Sequence, residues 1–221
     1  MAGIQNRSDD LDEQGAVKML KAEHIVHRYG KETVLHGIDI EIPKESFTVI
    51  TGESGSGKST LLSILSTLLH PDEGSVSYDG QAVNDIKDID RFRNEVVGFV
   101  FQFHYLIPHM SVYENIAMVT RKGREEIMML LSELGIDALA KKYPDQISGG
   151  QRQRAAIARA LINDPDYLFA DELTGNLDSA NSDKVFALLR NTGTTVIVAT
   201  HDLSRIDPTD RVINLKDGSI C

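Results

Sequence analysis

The stretch "GESGSGKST", Gly52 to Thr60, stands between a β-rich run, "SFTVIT", and an apolar-periodic run reaching about Leu69. Gly52-Glu53-Ser54-Gly55-Ser56-Gly57-Lys58-Ser59 satisfies G-x-x-x-x-G-K-[ST] in the strand–loop–helix setting that the motif requires. Its glycines let backbone N–H groups turn inward around phosphate oxygens, and the helix start adds a favourable field. All nine residues, Thr60 included, are therefore expected at a nucleotide. Lys58 should reach the β- and γ-phosphates, and Ser59 should offer its hydroxyl to Mg²⁺. A chain built this way must end a strand and begin a helix at one anion, which points to an α/β fold.

The rest of the chain fits that frame. "MLKAEHIVHRY", "TVLHGIDIEI", "GSVSYDG" and "VVGFVFQ" read as strands, and so do "DYLFADE" and "TTVIVATHD" later on. Helical patterns follow several of them, one from about Ser179 to Arg190, and "DRVINLKDGSI" reads as a closing hairpin. Strands alternating with helices imply a largely parallel sheet covered on both faces. Residues 111 to about 160 are helical in pattern and sit inside that order as an insertion, giving a helical subdomain of about 103–160. With 221 residues and 41% hydrophobic content, one domain over 18–221 is expected. Residues 1–17 are polar and acidic and read as a mobile tail.

The formal net charge of −10 argues against nucleic acid as a partner, because phosphate backbones repel acidic surfaces. The single cysteine, Cys221, precludes a disulfide within the chain and fits a reducing compartment. No run approaches the roughly 20 apolar residues that span a bilayer. "LLSILSTLL" and "IMMLLSEL" read as buried helix faces, so the chain reads as soluble and cytosolic.

A phosphate cradle needs an acidic partner for Mg²⁺, and "YLFADE" supplies Asp171 and Glu172 at a strand end. Asp171 fits the metal role through water, and Glu172 fits activation of the attacking water. A buried carboxylate pair is costly unless a cation or hydrogen bonds offset it. His201 follows the strand "TTVIVAT"; if the strands are parallel, it emerges on the same edge as Gly52 and Asp171, where ligands gather, and a γ-phosphate contact is expected. The other six histidines lack metal-ligand spacing, so no zinc site is expected.

A second candidate anion site, Ser148-Gly149-Gly150-Gln151 in "ISGGQRQRAAIARAL", opens a helix of the inserted block. "GESGSGKST", "ISGGQ", "YLFADE", "GNLD" and "ATHD", in this order, resemble the nucleotide-binding subunit of ATP-binding cassette (ABC) transporters over nearly the whole chain after Lys18. The resemblance implies a P-loop NTPase (RecA-like) core with an antiparallel β subdomain and an inserted α-helical subdomain. It implies ATP and Mg²⁺ as ligands and a head-to-tail pair of cassettes, each ATP held by one P-loop and the partner's signature turn. Carried over, Ser148 and Gly150 would meet the γ-phosphate on a second copy's Lys58. Tyr29 would stack on adenine, though alone it reads as strand packing. Gln102 would touch Mg²⁺ or the water, and Asp178 would contact the opposing subunit. Arg152 and Arg154 read as solvated cations on a helix surface.

Three departures stand out. Leu173 replaces a proline common in the family, Ile147 replaces a leucine, and the stretch between Gln102 and Ser148 is abbreviated. "FVFQFHYLIPHMSVYENIAM" and "ADELTGNLDS" most resemble the lipoprotein-release, macrolide-export and cell-division branch. That branch implies separate integral membrane subunits docked near Phe103–Pro108, on the cytoplasmic face of the inner membrane. A soluble ABC ATPase and a low-turnover nucleotide-gated scaffold are the alternatives.

Overall fold

The computed structural model describes residues 18–172 and 179–221. Two sheets share the chain. A four-stranded antiparallel sheet has the order β2-β1-β4-β5, built from β1 (Met19–Tyr29), β2 (Glu32–Pro43), β4 (Glu73–Tyr78) and β5 (Gln81–Ala82). A six-stranded sheet has the order β10-β9-β3-β8-β7-β6. Its members are β3 (Phe47–Thr51), β6 (Val97–Val100), β7 (Tyr167–Asp171), β8 (Thr195–Ala199), β9 (Arg211–Lys216) and β10 (Ser219–Ile220). All its pairings are parallel except β9 with β10, the closing hairpin.

The central strands carry unbroken apolar runs because both faces are covered. Every residue of β8 is buried. Alternation sorts the side chains between two cores. Leu168, Ala170, Val196 and Val198 face one core, shared with α3 (Val112–Ala117), α4 (Arg124–Glu133), α5 (Gly149–Leu161) and α6 (Ser179–Arg190). Tyr167, Phe169, Ile197 and Ala199 face the other, packed on α1 (Lys58–Leu65) and the antiparallel sheet. Each large apolar side chain so buried contributes about 2–3 kcal/mol relative to exposure. At the base, Lys44 ties the two sheets, with its ammonium 3.1 Å from both Asp79 and Asp166.

The helical block is a three-helix insertion between β6 and β7. Ser111 caps α3 with a reciprocal Ser–Glu114 box, and Ser148 caps α5 in the same way with Gln151. One boundary differs from expectation: α1 stops at Leu65, not near Leu69. Thr67 turns left-handed (φ 67°), and Arg93 from α2 (Ile89–Glu95) holds it, donating to the Thr67 carbonyl at 2.6 Å and its hydroxyl at 3.1 Å. A tertiary hydrogen bond ends that helix, with no local glycine or proline to announce it.

Candidate active site

Parallel pairing brings the carboxyl ends of β3, β6, β7 and β8 to one edge, so Thr51, Val100, Asp171 and Ala199 deliver their following loops together. A cleft of about 590 Å³ opens there, lined by Ser54, Gly55, Gly57, Lys58, Ser59, Thr60, Gln102, Glu172, His201 and, from β2, Val34. The loop after β3 is shaped by what cannot fit. A Cβ on Gly52 would overlap the Leu215 carbonyl oxygen and lie 2.7 Å from Ser56 Oγ. Gly57, the N-cap of α1, is left-handed at φ 99°, and a Cβ there would meet Leu35 at 2.9 Å. Backbone clashes of this kind do not relax cheaply, so Gly52→Ala is expected to lower stability by about 2–4 kcal/mol, read as a fall in Tm.

Within the loop, Lys58 folds back and donates to the Gly52 and Glu53 carbonyls, each at 2.8 Å. Its side chain is 7% exposed. Ser56 Oγ is buried with no hydrogen-bond partner. A nearly buried ammonium held by two neutral carbonyls can exchange them for an anion without first breaking an ion pair. The Ser59 hydroxyl lies beside the Asp171 carboxyl, whose pKa is raised chiefly by burial and also by Glu172, while Ser59 pulls it back. A hydroxyl beside a carboxylate that is ionised at a cost in a partly desolvated site is donor chemistry that suits a hard divalent cation such as Mg²⁺.

Glu172 sits one residue beyond β7 at φ 51°, a conformation that strains a side-chain-bearing residue. Its N–H donates to Ala199 O at 2.9 Å, its Oε1 lies 2.8 Å from His201 Nδ1, and its Oε2 accepts from Thr200 Oγ1 at 3.3 Å. The hydrogen bond to Glu172, then its charge, raises the His201 pKa above the ordinary 6.5. A raised imidazole value means that the charged pair's stabilisation is full below about 6.5 and is lost as pH rises through the raised value. Glu172→Gln is therefore expected to bring the His201 titration midpoint, followed by NMR, back down towards 6.5.

The expected residues divide. Ser54, Gly55, Gly57, Lys58, Ser59, Thr60, Gln102, Glu172 and His201 converge on the cleft, and Asp171, beside Ser59 and Glu172, does not itself line it. Gly52, Glu53 and Ser56 line a second hollow behind the loop, with His201 and β9. Tyr29 stands at the tip of β1, 56% exposed and edge-on to His27. Ser148, Gly149, Gly150 and Gln151 line no part of the cleft; they start α5, where Ser148 N–H donates to Gln151 Oε1 at 2.9 Å. The N–H groups of the first helical residues have no partner in their own helix. Asp178 and Leu173 lie outside the described residues.

Arg152 and Arg154 are not simply solvated, contrary to expectation. Arg152 donates to the Pro144 and Ile147 carbonyls at 3.1 and 2.7 Å, bracing the chain just ahead of Ser148. Arg154 donates to Leu134 O at 3.1 Å. Carbonyls just ahead of a helix start, such as Ile147 O, and at a helix end, such as Leu134 O at the close of α4, lack helical partners, and these arginines supply donors to them. Thr200, which bonds Glu172, was also not anticipated; a hydroxyl beside a strand-end histidine is the one signal for it.

A family model described as ABC transporter matches residues 35–175, more than half of the chain. The lipoprotein-releasing system ATP-binding protein LolD of Bacteroides thetaiotaomicron is 40% identical over 215 residues, covering 91% of this chain and 99% of that protein. The macrolide export ATP-binding/permease protein MacB of Syntrophobacter fumaroxidans is 43% identical over 202 residues, covering 85% of this chain but 28% of that protein. A dimeric ATP-binding cassette, solved in a post-hydrolysis state with ADP and Pi bound, superposes with a TM-score of 0.84 at 36% identity, covering 91% of this chain and 96% of that one. With the Gly52–Ser59 loop, the Asp171 carboxyl and the Glu172–His201 pair gathered on one sheet edge, this chain belongs to the ABC transporter family, as an ATP-binding subunit that hydrolyses ATP with Mg²⁺.

Proposed function

We propose that two copies of this chain close head to tail over ATP and that hydrolysis reopens them, driving separate membrane subunits of a lipoprotein-release or macrolide-export type. The carrying observation is the incomplete cleft. Its lining gathers Ser54 to Thr60 (without Ser56), Gln102, Glu172 and His201, whereas no residue of the Ser148–Gln151 turn lines it. A glycine turn at a helix start, with Ser148 and Gln151 already capping each other, offers the Gly149 and Gly150 backbone to an anion only when a second copy brings it. Relatives named for lipoprotein release and macrolide export support the branch.

Each residue then has a task. Lys58 exchanges its two carbonyl acceptors for phosphate oxygens. Tyr29 offers a ring face to the base, and Gly52 to Thr60 wrap the phosphates. Ser59, Asp171 and Gln102 would hold Mg²⁺, which when bound supplies charge neutralisation on the phosphates. Glu172 accepts a proton from the attacking water, and His201 orients that carboxylate through Nδ1 and meets the γ-phosphate.

The outer surface suits a membrane partner. Phe103 and Tyr105 are 72% and 62% exposed, next to Gln102, and exposed aromatics of this kind serve as interface anchors. No helix among the described residues is long and apolar enough to cross a membrane. The likeness to LolD ATP-binding proteins supports work at the cytoplasmic face of the inner membrane, beside separate membrane subunits. Phe103→Ala is expected to weaken capture of membrane subunits from a detergent extract by about 10–30-fold, the loss of one aromatic anchor. Equal capture by the variant and its parent would place docking elsewhere. Failure of the parent to capture any membrane protein would favour a soluble ATPase.

A further inference from the structure

The segment after β6 contains two consecutive non-glycine residues in the left-handed region, His104 (φ 64°) and Tyr105 (φ 46°). Such a pair persists only where the surroundings over-determine it. Local bonds account for part of this: His104 N–H donates to Phe101 O at 3.0 Å, and Tyr105 N–H to Phe103 O at 2.7 Å. The rest comes from α5. Arg159 forks across the turn, one terminal nitrogen donating to Tyr105 O at 2.8 Å and the other to His104 O at 2.9 Å. The His104 side chain is itself buried. Arg159 lies between Ala158 and Ala160 on a helix whose middle, Ala155 to Ala158, is buried. Its guanidinium has no ion-pair partner among the described residues, so its donors serve the backbone of this turn.

We propose that Arg159 is a positioning residue that makes the Gln102 loop and the Ser148 turn move as one body. Gln102 lies two residues before the clamped turn, and Gly149 lies ten residues before Arg159 on the same helix, about 15 Å along a rigid rod. A displacement of α5 that swings the Ser148 turn must then carry the His104–Tyr105 backbone, and Gln102 with it, into or out of the cleft. The exposed rings of Phe103 and Tyr105 lie on this same turn, so a push on them is delivered to α5 through two hydrogen bonds. Lysine is no substitute, because one ammonium lacks the planar fork that spans two carbonyls. The catalytic part of this inference rests on the assignment of Gln102 to the ATP site.

The test compares Arg159→Leu and Arg159→Lys with the parent by hydrogen exchange, steady-state ATPase kinetics and fluorescent-nucleotide affinity. In Arg159→Leu, amide exchange over residues 102–106 is expected to rise about tenfold or more, with exchange in β3, β7 and β8 unchanged. The turnover number is expected to fall about tenfold, while KM and nucleotide affinity stay within about threefold, because the phosphate cradle is untouched. Arg159→Lys should fall between the two. Parent-like exchange over 102–106 in Arg159→Leu overturns the clamp. So does a uniform rise in exchange with lost nucleotide affinity in both variants, which would mark Arg159 as a packing residue. Exchange needs no turnover, so it judges the clamp separately from the ATPase assignment.

Discussion

Lys58→Ala is expected to lose measurable ATP binding by calorimetry, an affinity decrease of at least about 100-fold. Two effects combine. A charge-assisted hydrogen bond contributes about 1.5–3 kcal/mol, and the ammonium supplies more than one to a phosphate chain. The ammonium also holds the Gly52 and Glu53 carbonyls in the free protein. Removing it frees the loop that must present its N–H groups inward, so preorganisation is lost along with charge. The folded core should survive, because α1 remains anchored by Leu61, Leu62 and Leu65, each fully buried. ATP affinity within threefold of the parent would remove the loop from the nucleotide site.

Glu172→Gln is expected to keep ATP affinity, slow hydrolysis by about 10²–10⁴-fold and convert the protein to an ATP-bound dimer on sizing chromatography. The substitution is nearly isosteric, so the contacts to Thr200 and His201 keep their shape. What disappears is the acceptor for the water's proton. ATP that cannot be cleaved leaves both copies holding the same ligand, and the closed state accumulates by mass action. If Glu172→Gln hydrolyses ATP at a near-parental rate, the proton goes elsewhere and Asp171 becomes the candidate base.

The site's residue types were legible because each rests on local chemistry. The Gly52–Ser59 spacing, the acidic pair after an apolar strand and the His201 strand end are patterns over fewer than ten residues. The sheet was legible from unbroken apolar runs such as "TVIVA", whose burial on both faces leaves no alternation to confuse. The arrangement between distant residues was not. The contact between Glu172 and His201 depends on the β7–β8 register, which aligns Asp171 with Ala199 across 28 residues. The early end of α1 depends on Arg93, and the His104–Tyr105 turn on Arg159, each reaching a carbonyl far away in sequence. The helix α2, capped by Asp88 accepting from Arg91 N–H at 3.0 Å, is only seven residues long and none of them is fully buried, so Phe92 and Val96, packed at the margin of the core, are a thin signal for it. Arginines on an alanine-rich helix carried a signal that went unused. Among buried neighbours a guanidinium must find acceptors, so Arg159 could have been assigned a tertiary partner from its flanking residues alone.

The most direct measurement is a crystal structure of Glu172→Gln with ATP and Mg²⁺. The account predicts two copies related by a twofold axis, with Ser148 Oγ and the Gly150 N–H of each copy within hydrogen-bond distance of the terminal phosphate seated on the other copy's Lys58. A closed, ATP-loaded assembly in which the Ser148–Gln151 turn faces solvent would contradict it.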